Sequence, residues 1–201
     1  CRYFQFHDTT KDAKIRKNGY IGDNTYLRSN AGNLAAFLYG IKNQDGGEPY
    51  YSRIVRYIRQ VMPQFGDFIM EPSVMNPNYI SLDWREQNND YVFNVNQISD
   101  GTLRFIALAT LLLQPPKSMP SLIVIDEPEL GLHPAAISIL AGMIKKASET
   151  AQVVLATQSP DLLDKFSADK VVVIERNEAK RTSVFRKLSS KDLRDWEDEY
   201  T

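Results

Sequence analysis

Asp126 and Glu127 stand side by side at the end of an apolar run in the segment 122–134, LIVIDEPELGLHP. Ionised carboxylates are costly to bury unless paired or bound to a cation, so a strand ending in two of them delivers them to a site at its carboxyl edge. Asp126 offers an oxygen ligand for a hard cation such as Mg2+, and Glu127, one residue on, points differently and could polarise a water as a general base. The plainer alternative is that the pair caps the turn before Pro128. Two further segments put polar groups at element ends. Residues 98–102, ISDGT, open a helix, and Ser99, Gly101 and Thr102 lie where free backbone N–H groups and the helix dipole attract anions. Ser99 and Asp100 are also good capping residues, which is the plainer account of the same sequence. Residues 156–160, ATQSP, set Gln158 at a strand end, where it can donate a hydrogen bond but cannot take up a proton. His133 directly precedes Pro134 at the start of another helix.

The elements that must hold these groups are legible from periodicity. Residues 102–113 are apolar nearly all round, which describes a buried helix, and PPKSMP ends it. Residues 122–125 lack polar alternation, as in a strand covered on both faces of a parallel sheet. A helix is expected over 134–148 with Ile137, Leu140, Ala141 and Ile144 inward, then apolar strands at 153–156 and 171–174 with a short helix at 160–165 between them. Residues 182–188 suit a last strand at the sheet's end, and the order strand, helix, strand, helix, strand predicts an open α/β sheet. Upstream, a short strand is expected at 3–7, a polar loop after it, helices at 33–41 and 50–62, and a hairpin-like pair of strands at 79–84 and 91–95 around REQNND. The acidic stretch 192–200 suits a surface helix or tail.

Composition limits the proposals. A chain of 201 residues with 43% hydrophobic content can bury a real core. Its 24 basic and 25 acidic residues nearly cancel, so no global field draws it to nucleic acid or anionic lipid. Arg53, Arg56 and Arg59 on one predicted helix, and Lys11, Lys14, Arg16 and Lys17 on the loop, are local clusters that could track a phosphate backbone or be solvated faces. One cysteine and two histidines exclude a disulfide framework and a Cys/His zinc site, and a reducing, cytoplasmic setting fits. The longest apolar runs are too short to span a bilayer. A first residue other than Met suggests that the sequence begins within a longer protein.

Taken in order, SDGTLRF, IDEPELGLHP and TQSPDLL resemble the predicted AAA-type ATPases of the SMC/RecF/OLD branch, relatives of the ABC-type ATPases that serve recombination, repair and phage defence. The resemblance covers 98–165 and fades upstream of 97. It implies a P-loop NTPase fold of α/β type, a mostly parallel sheet flanked by helices, here incomplete and carrying a helical or mixed subdomain at 34–97. Residues 98–188 would form the core of signature helix, Walker B strand, D-loop and switch, with the whole of 1–201 one partial ATPase domain. It further implies ATP and Mg2+ as cofactors, with Asp126 in the Mg2+ shell, Glu127 and Gln158 catalytic, and Ser99, Gly101, Thr102 and His133 facing a nucleotide or partner. The signature segment of such ATPases meets the γ-phosphate held by the opposite protomer, which implies a homodimer closed as an ATP sandwich.

Three departures stand out. Asp100 replaces the first glycine of the usual pair, Gln158 replaces the usual switch histidine, and the phosphate-cradling motif G-x-x-x-x-G-K-[ST] is missing, since none of the ten glycines precedes a lysine. The expected function is a nucleotide-driven dimerisation switch, in DNA repair or phage defence, acting on nucleic acid or an unknown protein partner. By itself the 201-residue chain is expected to bind ATP weakly. The rival is a non-catalytic interaction lobe that keeps the ABC fold. An ATPase joined to a nuclease would need a further acidic Toprim domain, for which the chain leaves no room.

Overall fold

The structure is a computed structural model that describes residues 1–178 and 181–187; the acidic segment at 192–200 lies outside the described residues. The chain divides into two compact units, Cys1–Gln158 and Ser159–Thr201.

The first unit is built on three parallel strands, β1 (Arg2–Phe4), β7 (Leu122–Asp126) and β8 (Gln152–Ala156), in the order β1-β7-β8 with β7 central. Phe4 pairs with Ile125 and Asp126 with Ala156, so the strands share one carboxyl edge, and Asp126 is on it. Between β1 and β7 the chain forms β2 (Gly19–Tyr20), α1 (Leu34–Asn43), α2 (Glu48–Val61), β3 (Phe65–Ile69), β4 (Tyr79–Ile80), β5 (Asp83–Glu86), β6 (Val92–Phe93) and α3 (Asp100–Leu113). Helix α4 (Pro134–Ala147) joins β7 to β8.

Helix α3 matches its composition. Every residue from Leu103 to Leu113 is buried, and it packs against α2 on one side and α4 on another. Each large apolar side chain buried there contributes about 1.5–3 kcal/mol. The helix stops at Leu113 because Gln114 precedes Pro115, which disfavours the helical conformation for the residue before it, and Gln114 is extended. In α4 the residues Ile137, Leu140, Ala141 and Ile144 are all buried, as their spacing predicts. Helix α2 buries Ile54, Val55 and Ile58 on one face. Strand β7 alternates between buried and half-buried residues, so it is less fully covered than its apolar run predicts.

The region between β3 and β6 departs from expectation. A hairpin does form around 87–91, with Trp84 opposite Phe93, but residues 79–84 are not one strand. Tyr79 and Ile80 pair with Gly19 and Tyr20, while β5 pairs antiparallel with β3, a strand the periodicity does not announce. The sequence FGDFI hides it behind two residues that disfavour strands. Both have local reasons: the register shifts between Phe65 and Asp67, and any side chain at Gly66 would press on the Glu86 backbone. The Asp67 carboxylate accepts from the Tyr51 hydroxyl (2.6 Å), the Lys42 ammonium (3.2 Å) and the Phe68 amide (2.9 Å). Burial first, then this bond, raises the pKa of Tyr51, which stays a donor.

The second unit holds α5 (Pro160–Leu163), β9 (Val172–Asn177) and β10 (Thr182–Lys187). The apolar run at 171–174 does form a strand, but β9 is not a further parallel member of the β1-β7-β8 sheet. It pairs antiparallel with β10, Phe185 opposite Ile174. A short connection of 178–181 can close only an antiparallel hairpin, whereas parallel neighbours need a long crossover.

No helix among the described residues is long and apolar enough to cross a membrane. Cys1 is free and exposed.

Candidate functional site at the carboxyl edge of the parallel sheet

Asp126, half-buried, sits at the last position of β7, and β1 with the residues just after it supplies its partners. Alternation along 3–7 sends Phe4 and Phe6 into the core and Tyr3, Gln5 and His7 to the other face. The Tyr3 hydroxyl donates to Asp126 Oδ2 (3.0 Å), and the Gln5 amide reaches the same oxygen at 3.5 Å. His7 Nε2–H donates to the Asp126 carbonyl (3.1 Å), which leaves Nδ1 to accept from the Gln5 amide (3.1 Å). Desolvation, and then the bond to Asp126 and its charge, hold the Tyr3 phenol above its ordinary range, so it remains a proton donor there. None of these three residues stood out in the sequence, although polar residues at every second position of an otherwise aromatic strand were the available signal.

Glu127 continues the ladder by one bond, its amide donating to the Ala156 carbonyl (2.8 Å), and then turns sharply with φ +41°. A non-glycine residue in the left-handed region stores about 1–3 kcal/mol and persists where the surroundings dictate it. The strain is measurable: Glu127→Gly and Glu127→Ala both remove the carboxylate, and the glycine variant is expected to be more stable by about 1 kcal/mol in urea unfolding. Equal midpoints would show that no strain is held there.

The turn that follows is tied at both ends. Glu129 accepts from the Thr157 hydroxyl (2.5 Å), and its second oxygen is buried without a partner among the described residues. This link joins the turn to the segment after β8, where Gln158 is exposed two residues past the strand end. His133 is the N-cap of α4, its Nδ1 accepting from the Ala135 amide (3.3 Å), so the helix-start reading of this residue holds in the structure.

At the start of α3, Ser99 is the N-cap, and its hydroxyl oxygen accepts from the Thr102 amide (3.2 Å). Asp100 is not the cap. Its carboxylate is held by Arg16 (2.7 Å), whose own charge offsets it. Gly101 lies against Gly131, where a Cβ would collide with the Gly131 carbonyl oxygen. The structure thus brings Ser99, Gly101 and Thr102 to the far end of the 127–133 turn, while Asp126 and Glu127 occupy its beginning.

The basic clusters look different once folded. Arg16 is buried and donates to the carbonyls of Thr9 (2.7 Å), Val95 (2.6 Å) and Ile98 (3.2 Å), and Lys17 pairs with Asp12 (3.0 Å). On α2, the Arg59 guanidinium donates to the Phe65 carbonyl (3.1 Å) and to that of Gly66, and Arg53 lies over the Tyr50 ring at 5.5 Å. Neither cluster is therefore a plain row of solvent-facing charges.

The sequence matches, over residues 17–164, the model of a family described as "AAA domain, putative AbiEii toxin, Type IV TA system". No curated protein matches it. Among solved structures it is similar to one from "Structural biochemistry of ATP-driven dimerization and DNA stimulated activation of SMC ATPases", with TM-score 0.58 and 16% identity over 82% of this chain and 94% of that one. An SmcHead bound to the C-winged helix domain of ScpA aligns with TM-score 0.59 and 16% identity, covering 86% of this chain and 50% of that one. A Pyrococcus furiosus Smc head domain with an extended coiled coil gives TM-score 0.55 and 15% identity over 85% of this chain and 44% of its own. The chain thus spans nearly all of the first of these and half or less of the other two. At these identities the likeness establishes the fold alone, a mixed α/β domain with a parallel sheet flanked by helices. With its family model matched over well more than half its length, the chain belongs to this family of AAA domains.

Proposed function

We propose that the chain supplies the cation-binding and water-activating edge of an ATP-hydrolysing domain that works as a nucleotide-driven dimerisation switch. The observation that carries this is the pair Asp126 and Glu127 at the shared carboxyl edge of three parallel strands, where open α/β sheets bind their ligands. The donor set fits Mg2+ with ATP. Asp126 presents a half-buried carboxylate beside the Gln5 amide, and no group of three or more His, Cys, Asp or Glu clusters among the described residues. Mg2+ prefers such a site, taking one or two protein oxygens and filling its octahedron with water and phosphate, whereas a zinc cage needs more side chains. Bound there, Mg2+ would neutralise charge on the phosphoryl oxygens.

Asp126 would hold the cation, and Glu127 would take the proton of the attacking water. Gln158 would donate a hydrogen bond to the nucleotide without carrying charge, which would make hydrolysis slow. Ser99, Gly101 and Thr102, with His133, face the nucleotide of a second copy. They lie across the 127–133 turn from Asp126, so one chain offers two half-sites instead of one closed site. We assign the helical and mixed segment 34–97 to a subdomain, and place the switch in the cytoplasm, in repair or defence against phage. The rival reading, a non-catalytic interaction lobe, is favoured by two observations: G-x-x-x-x-G-K-[ST] is not among these residues, and Gln158 stands where a switch histidine would.

Light scattering on the full-length protein separates the two. Mg2+ and ATP are expected to convert a monomer into a dimer that ADP does not support, and Asp126→Asn abolishes the conversion. A mass unchanged by ATP sinks the switch reading and favours the interaction lobe.

A further inference from the structure

Arg104 is the one charged residue in the eleven-residue buried stretch of α3, and it is 7% exposed. Burying a guanidinium costs several kcal/mol unless its N–H groups find partners. Here the fork reaches three carbonyls on two other chain segments. Nε donates to the Phe6 carbonyl (2.9 Å), one Nη to the His7 carbonyl (3.0 Å), and the other Nη to the carbonyl of Leu130. Burial lowers its pKa, and the nearby Asp100 charge opposes that, so the group remains a cation.

These carbonyls are not arbitrary neighbours. Phe6 and His7 lie in the segment directly after β1, whose Gln5 and His7 contact Asp126. Leu130 is the midpoint of the 127–133 turn, which begins at the strained Glu127 and is tied to Thr157 through Glu129. The room for the guanidinium is made by Gly131, with φ +74°, whose Cβ would lie 2.7 Å from an Arg104 nitrogen. Gly131 in turn lies against Gly101.

From this geometry we infer that Arg104 is a positioning residue, the pin that holds the Asp126 edge, the 127–133 turn and the start of α3 as one rigid body. It touches no nucleotide in this reading. Its role is to make the water-activating half-site and the SDGT half-site move together, so that closing one face on a second copy sets the geometry of the other. Its catalytic consequence rests on the ATPase reading above; the mechanical one does not. Lysine keeps the charge but cannot span three carbonyls with a planar fork, so Arg104→Lys separates positioning from charge burial.

The test uses the full-length protein with Arg104→Lys and Arg104→Met. Amide hydrogen exchange without nucleotide is expected to rise at least tenfold in 5–8 and 128–133 of Arg104→Lys, with α1 and α2 unchanged. Steady-state ATP hydrolysis is expected to lose roughly tenfold or more in kcat with KM within about threefold, since misplacement of about 1 Å costs up to ~100-fold. Arg104→Met shows the same pattern more strongly; if it fails to fold, Arg104→Lys decides. Parent-like exchange in both segments, or a uniform rise across all helices, overturns the proposal, as does an unchanged kcat in a variant with faster exchange. A parent that does not hydrolyse ATP removes the ATPase reading and leaves the exchange pattern to judge the pin.

Discussion

Glu127→Gln in the full-length protein is expected to slow ATP hydrolysis by about 10²–10⁴-fold, the range for removing a general base, while ATP binding stays within a few fold. Glutamine keeps the shape and the amide bond to Ala156, and it carries the same left-handed backbone strain as glutamate. What it loses is the ability to accept the proton of the attacking water. Because binding persists and turnover does not, the ATP-bound dimer is expected to accumulate and become visible by light scattering at concentrations where the parent is mixed. Phosphate release in single-turnover experiments measures the first effect directly. A variant that keeps more than about a tenth of the parent rate would assign the base to another residue, and the Thr157-bonded Glu129 would be the next to test.

Gly101→Ala carries the second large effect. Its Cβ has no room, because the obstacle is the Gly131 backbone and not a flexible side chain, so the start of α3 and the turn must part. Overpacking of this kind costs about 1–3 kcal/mol. The same substitution at Gly142, in the interior of α4 with open space around its Cβ, is expected to stabilise by roughly 0.5–1 kcal/mol through helix propensity and chain entropy. Urea unfolding of the two variants side by side therefore gives opposite signs. Matching signs would show that the contact between the two glycines yields easily, and the rigid link between α3 and the 127–133 turn would fall with it.

Much of this could be read from residue order alone. The apolar run before Asp126 predicts β7, the all-round apolar pattern predicts a buried α3, and spacing picks out the inner face of α4. Local propensity governs such elements, and tertiary contacts agree with it. Strand β3 was hidden because Gly66 and Asp67 answer to a register shift and to Tyr51 and Lys42, which are distant in sequence. Strand β9 was legible as a strand and illegible as to partner, since periodicity reports which face is apolar and not which chain lies alongside.

The site divides in the same way. Order and spacing determined that two carboxylates end a strand, that a serine caps a buried helix, and that a histidine precedes a helix-opening proline, because each depends on residues within a few positions. Only the tertiary structure decided that Tyr3 and Gln5 meet Asp126 across more than a hundred residues, that Arg16 takes up the charge of Asp100, and that the guanidinium of Arg104 gathers three carbonyls from two distant segments. A buried charge must find partners wherever the fold brings them, and that search has no period in the sequence.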